Sequence, residues 1–105
     1  MQKRVYKYIV CKSEEFGETV AIKMPRGAVI TSVDCEFGYF ILWVLVDPDE
    51  EVINRHVHLA ATGAEIPDFK GRLPVFIGRI DAIPIASNTA FKYRFHAFDF
   101  GETPL

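Results

Sequence analysis

Three basic side chains recur at every second position near the end of the chain, in an arrangement that can bind an anion. Lys92, Arg94 and His96 alternate with aromatic residues, and side chains two positions apart on a β-strand share a face. Such a ladder can hold the phosphate groups of a nucleotide while a Tyr or Phe ring stacks on its base. The alternative is a solvated outer sheet face whose charges prevent edge-to-edge aggregation.

Two further histidines have the same spacing and form a workable pair of metal ligands. His56 and His58 are expected on one strand face, and His96 is a candidate third ligand if the last strand pairs nearby. No carboxylate stands at a useful spacing from the pair. We therefore predict no metal site and no cofactor, with exposed strand histidines as the simpler interpretation.

The segment around these histidines can also enlarge the anion-binding surface. The Thr62-Gly63 turn offers backbone amides to an anion, and Arg72 and Arg79 add positive charge nearby in the sequence. The loop from 62 to 73 is the best candidate for a functional loop by its length. The predicted ligand-binding residues are therefore Lys92, Arg94, His96, His56, His58, Thr62 and Gly63.

Motifs for catalysis are missing from the sequence. It has no glycine-rich phosphate loop and no nucleophile elbow, and Ser13, Ser32 and Ser87 have no neighbouring base. Cys11 and Cys35 fall inside strand-like segments, which is typical of unreactive core thiols. We therefore predict no catalytic residue and a protein that is not an enzyme.

Composition and turn spacing indicate the elements that must position these side chains. Val and Ile number ten each and Phe nine, against five Leu and two Met, a bias that favours strands over helices. Turn residues separate about seven strand-length segments, at approximately 4–11, 19–24, 28–37, 39–46, 52–61, 74–81 and from 91 onwards. This pattern predicts an all-β (or β-rich) fold, with residues 1–105 as one small antiparallel sandwich or barrel of about seven strands.

Two segments depart from simple alternation. The run Tyr39–Val46 has no polar side, which predicts a central strand or one that lies in an oligomer interface. We therefore expect a homo-oligomer. In the last segment the aromatic phase changes from Phe95 and Ala97 to Phe98 and Phe100, which predicts a β-bulge near Ala97.

Short motifs in a shared order resemble those of a known family. The most specific are the stretch from Leu42-Trp43 to Asp47-Pro48 and the turn Met24-Pro25-Arg26-Gly27-Ala28. Their order along nearly the whole chain resembles a family of small uncharacterised proteins of bacteriophages and prophages, classed as a domain of unknown function. Ala61 departs from the Gly that such proteins often have before Thr-Gly. The resemblance implies a phage origin and expression in a bacterial cell, and it carries over no catalytic residue.

Charge and segment lengths restrict the partners. The net charge of −2 argues against a nucleic-acid partner, and no apolar run is long enough to span a membrane. The first eight residues lack a signal-peptide core, which predicts the host cytoplasm.

The expected function is a non-enzymatic phage protein that inhibits host defence, by binding a host defence protein or by sequestering a small anionic nucleotide signal. The alternatives are a structural or accessory interaction protein of the phage and a metal-binding small β-barrel enzyme.

Overall fold

Alternating apolar residues and intervening turns divide the chain into short strands, which a computed structural model describes for residues 2–82 and 93–105. The strands are β1 (Arg4–Lys12), β2 (Thr19–Pro25), β3 (Val29–Glu36), β4 (Tyr39–Val46), β5 (Val52–Ala61), β6 (Val75–Ala82) and β7 (Tyr93–Thr103). Within the described residues they form two antiparallel sheets, β1-β4-β3 and β2-β5-β7-β6. A 3-10 turn at Ser13–Glu15 follows β1. The predicted small antiparallel β-sandwich is confirmed.

Strand β4 lies at the centre of the three-stranded sheet, as its uninterrupted apolar sequence predicts. Its even-numbered residues, from Phe40 to Val46, are buried in the core between the sheets. Its alternate residues Ile41 and Trp43 are also apolar, and they are buried and half-buried although they point to the opposite side. The outer side of this sheet is therefore apolar along its middle strand.

The four-stranded sheet supplies the other half of the core through its two central strands, β5 and β7. Val57, Leu59, Phe95 and Ala97 are buried and face β4. The two sheets approach each other most closely where β3 packs on β6. A Cβ atom at Gly78 would lie 3.1 Å from Cγ1 of Val33, so this position in β6 is filled by glycine.

The register of β7 differs from the sequence prediction. Phe98 pairs with His58, so it stays in phase with His96, which pairs with Ala60. No phase change therefore occurs at Ala97. The extra residue of β7 is Phe100, and a separate bulge in β6 lies opposite the Ala97–Phe98 step. The predicted position of the bulge was wrong. That prediction requires Phe98 to join Phe95 and Ala97 on the inner face, whereas Phe98 lies on the outer face with His96.

A largely buried ion pair lies beside this bulge. Asp99 points inward and receives two hydrogen bonds from Arg55, at 3.0 Å from Nε and 2.7 Å from Nη2. Nη1 of Arg55 donates to the carbonyl of Ala28 at 2.8 Å, which ties β5 to the segment before β3. Oδ1 of Asp99 accepts the amide of Gly101 at 2.8 Å, across the extra residue. Burial alone would lower the pKa of Arg55, but Asp99 and Glu102 outweigh it and raise that pKa.

We predict that Arg55→Met lowers the free energy of unfolding by about 3–5 kcal/mol, because it leaves the Asp99 carboxylate buried without its cation. The double variant Arg55→Met/Asp99→Leu should lose clearly less than the sum of the two single losses. Urea unfolding measures both. The matched control is Arg26→Met, which breaks an exposed pair with Glu51 and should cost less than about 1 kcal/mol. Additive losses at Arg55 and Asp99 would contradict the prediction.

Candidate ligand-binding face

The outer side of strands β6 and β7 carries two of the predicted ligand-binding residues, Arg94 and His96, beside Arg79. Directly paired residues of antiparallel strands point to the same side. Three cross-strand rows follow one another along β7 on this outer side, and they define what we call the β6–β7 face: Arg94 with Asp81, His96 with Arg79, and Phe98 with Phe76. The predicted sharing of one face by Arg94 and His96 is confirmed, and Lys92 lies outside the described residues.

Two guanidinium groups give this face a positive surplus. Nε of Arg79 lies 3.6 Å and Nε of Arg94 lies 3.8 Å from the same oxygen of Asp81. Both distances are longer than the length of a hydrogen bond. The side chain of Arg79 is 57% exposed and that of Arg94 is 65% exposed. Because loose, exposed ion pairs exchange partners at little cost, both guanidinium groups can turn to a bound anion.

An aromatic pair lies beside the charged rows. The rings of Phe76 and Phe98 are 5.8 Å apart at 63°, an edge-to-face contact. Phe76 is 57% exposed, which is high for a residue of this type inside a strand. An exposed ring next to cations is the usual platform for stacking a nucleobase.

His96 is held in place by the turn that follows β5. Its Nε2 lies 2.8 Å from Oγ1 of Thr62, in hydrogen-bond contact. The amide of Thr62 donates to the carbonyl of Arg94 at 3.1 Å, so this amide is already used inside the protein. Gly63 follows with φ of 88°, a left-handed value that glycine adopts readily and that reverses the chain between Ala61 and Ala64. The turn therefore positions His96, and its Thr62 amide is bonded within the protein rather than presented to a ligand.

The other two predicted histidines share the outer side of the sheet, and His56 lies under the loop from 62 to 74. The ring of His56 stacks on Phe69 at 4.4 Å between centroids, and its Nε2 contacts Oγ1 of Thr103 at 2.7 Å. Phe69 also packs on Phe100 at 5.5 Å. Burial, followed by the positive charges of Lys70 and Arg72, lowers the pKa of His56. His56 is thus part of a small aromatic cluster rather than of the β6–β7 face.

His58 is the more deeply buried of the two, with only 1% of its surface exposed. Its Nδ1 lies 3.1 Å from Oγ1 of Thr19. Burial lowers the pKa of His58, and the negative charge of Glu18 opposes that shift without cancelling it. A neutral, buried imidazole is a packing residue with a satisfied polar atom, so the structure gives it no access to a ligand.

The remaining cation of the predicted surface, Arg72, fastens the loop to β7. Its Nη1 donates to the carbonyls of Glu102 at 2.8 Å and Phe100 at 3.3 Å. The tight turn Phe69–Arg72 presents it, with the amide of Arg72 bonded to the carbonyl of Phe69 at 2.9 Å. The long loop predicted to be functional therefore closes over the aromatic cluster of His56, Phe69 and Phe100.

Sequence reasoning missed the aromatic and acidic members of the face. Phe98 follows Arg94 and His96 at the same spacing of two, so simple continuation of the alternation would have found it. Phe76 and Asp81 carry no comparable signal, because only the pairing of β6 with β7 places them beside those residues.

Other reactive groups contribute little to a site. Among residues 2–82 and 93–105, no three His, Cys, Asp or Glu side chains are grouped closely enough to hold a metal ion. Burial raises the pKa of Cys11 to about 11, with smaller contributions from Glu15 and Glu14. Burial also raises the pKa of Cys35, followed by the charge of Asp34. Both thiols therefore stay protonated near neutral pH.

We predict that the protein loses stability as the pH falls below 6.5, the ordinary pKa of a histidine. Because the folded state lowers the pKa of His58 and His56, the unfolded chain takes up these protons first, and the free energy of unfolding decreases down to the lowered folded pKa values. His58→Gln should flatten this part of the curve, and adding His56→Gln should flatten it further. Urea titrations between about pH 7 and pH 5 measure the slope, above the range where most carboxylates titrate. A wild-type curve without this decrease would contradict the prediction.

Comparison with known proteins identifies the family but no characterised relative. The sequence profile of the family described as domain of unknown function (DUF7352) matches residues 1–84. This segment contains β1 to β6, whereas β7 with Arg94, His96 and Phe98 follows it. No curated protein and no solved structure matches the chain. Within the described residues no helix is long and apolar enough to cross a bilayer. Since the matched segment covers most of the chain, this protein belongs to the DUF7352 family of domains of unknown function.

Proposed function

We propose that this protein is a non-enzymatic binding protein that holds a small anionic nucleotide on the β6–β7 face. The observation that carries the proposal is the row order on that face, where Arg79, Arg94 and His96 lie beside the exposed Phe76–Phe98 pair. Cations bind phosphate oxygens through charge-assisted hydrogen bonds, and an exposed phenyl ring stacks on any base. Both recognition elements of a nucleotide are thus present on one side of two neighbouring strands.

The spacing of the rows suits one small ligand. Successive rows on β7 are two residues apart, which is about 7 Å along a strand. A single nucleotide can therefore reach from the Phe98 row to the Arg94 row without wrapping round the sheet. The protein as a whole carries a net charge of −2, so the positive surplus is local to the face. A local surplus supports a small ligand more than a nucleic acid, which normally needs an extended basic surface.

The biological setting in the proposal comes from the sequence resemblance. A phage origin would place the protein in the cytoplasm of an infected bacterium, where binding a nucleotide immune signal would inhibit host defence. Direct binding of a host defence protein is the other form of the same proposal. Family membership is compatible with both forms, because the family is defined without a function.

A structural or accessory role in the phage is the second candidate, and one observation favours it. The outer side of the three-stranded sheet exposes large apolar residues, including Val5 and Ile9. Exposed apolar patches of this kind mark surfaces for protein partners. Mass spectrometry of purified virions separates the candidates, because a virion component would be present in stoichiometric amounts and a nucleotide-sequestering protein would be absent.

We predict that calorimetric titration with a panel of cyclic and ADP-ribose-type nucleotides detects at least one ligand. Arg94→Gln and Arg79→Gln should each weaken its binding by roughly tenfold or more, because each removes a charge-assisted contact. Phe76→Ala should weaken binding through lost stacking, by about 1–3 kcal/mol. The matched control is Arg4→Gln, an exposed arginine on the other sheet, which should leave affinity unchanged. Flat titrations across the panel would remove the proposal.

A further inference from the structure

The outer side of the three-stranded sheet is a second surface with its own chemistry. Directly paired residues of β1, β4 and β3 place an apolar group in its middle and at one end. We call this surface the apolar face, and its apolar members are Val5, Ile9, Val29, Tyr39, Ile41, Trp43 and Leu45. Val5, Ile9 and Val29 are each more than half exposed, so nothing within the described chain covers the flanks. Exposed β-branched residues on a flat sheet face favour a protein partner.

The turn between β3 and β4 carries an exposed anchor at the edge of this face. Phe37 is 96% exposed, and its φ of 49° lies in the left-handed region that bulky residues seldom adopt. Phe37 itself lines a shallow depression of about 250 Å³, together with Ile9, Tyr39 and Ile41. An exposed aromatic at the edge of an apolar surface is a typical interface anchor, since buried aromatic anchors supply much of the binding energy of interfaces.

Opposite charges flank the apolar middle of the face. On β1, Lys7 and Lys12 pair with the outward residues Trp43 and Tyr39 of β4, so they point outward. On β3, Asp34 and Glu36 point outward by the same argument. The ammonium group of Lys7 reaches across β4 to Glu36 at 2.8 Å, while both side chains stay partly exposed. One flank of the face is therefore basic and the other is acidic.

We propose that the apolar face binds a second copy of this chain, with the twofold axis parallel to β4. Rotation about such an axis places β1 of each copy over β3 of the other, so the basic flank meets the acidic flank. A twofold axis across the strands would instead place β1 over β1 and bring lysines together. The charge pattern thus selects one of the two face-to-face arrangements. This inference is independent of the proposed nucleotide site, which lies on the other sheet.

The axis also fixes which residues meet. The rotation leaves every residue at the same height along the strand direction. Lys12 and Glu36 both pair with Tyr39, so they have the same height. Lys12 of each copy therefore faces Glu36 of the partner subunit. Phe37, next to Glu36, comes to the Lys12 end of β1 in the other copy. Every contact occurs twice, as a closed twofold interface requires.

The size of the face sets the expected strength. Three strands of about eight residues cover roughly 14 by 27 Å, which is smaller than a standard specific interface and fits a weak dimer. We therefore expect a dimer whose population depends on protein concentration. Sedimentation analysis of the full chain over a concentration series should show the mass rising from 11.9 kDa toward twice that value. A mass of 11.9 kDa at every concentration would overturn the proposal and leave the face to a different partner.

Charge reversal tests the geometry. Lys12→Glu and Glu36→Lys should each weaken dimerisation by about tenfold or more, because each places like charges opposite one another twice. The double variant Lys12→Glu/Glu36→Lys restores opposite charges and should dimerise like the wild type. Failure of the double variant to recover, with wild-type unfolding temperature, would overturn the proposed axis.

The anchor is tested by Phe37→Asn. Asn-Gly is the preferred pair for a two-residue turn with two left-handed residues, so the folded monomer should unfold at the same or a higher temperature. Dimerisation should nevertheless weaken by about tenfold or more, because the aromatic anchor is lost. Unchanged dimerisation in this variant would overturn the assigned role of Phe37.

Discussion

The ion pair between Arg55 and Asp99 is the interaction on which the arrangement of both sheets depends. Only 12% and 14% of the two side chains are exposed, so removing one partner leaves the other charge largely buried and costs stability. Asp99 points inward by the regular alternation of β7, and the extra residue Phe100 follows it, where the amide of Gly101 donates back to Asp99. The link from Arg55 to the carbonyl of Ala28 then couples the four-stranded sheet to the start of β3.

This constraint gives the outer side of the four-stranded sheet two different halves. Near the bulge, Phe100 packs against Phe69, which also stacks on His56, and Phe100 is buried. Farther along β7, Phe98, His96 and Arg94 continue in phase and remain accessible beside β6. The loop from 62 to 74 covers the first half, and its Thr62 orients His96 at the border of the second. The proposed ligand face therefore lies on the regular part of β7 that precedes the bulge.

Much of the fold was predictable because strand periodicity is a local property of the sequence. The strand bounds, the central place of β4 and the shared face of Arg94 and His96 follow from alternation and from turn residues. The bulge was misplaced because the contacts beside it, such as that of Arg55 with Asp99, join residues far apart in the chain. The burial of His58 was unpredictable for the same reason, since it depends on Thr19 and on the loop that covers Phe100.

The central claim is that the β6–β7 face binds a nucleotide through cations and an aromatic platform on adjacent rows. The most direct test is an NMR titration of isotope-labelled protein with the cyclic and ADP-ribose-type nucleotides, following every backbone amide. If the β6–β7 face binds the nucleotide, the chemical-shift changes should be concentrated in β6, in β7 between Arg94 and Phe98, and at Gly63. The three-stranded sheet should be unaffected. Spectra that do not change, or that change only on the three-stranded sheet, would contradict it.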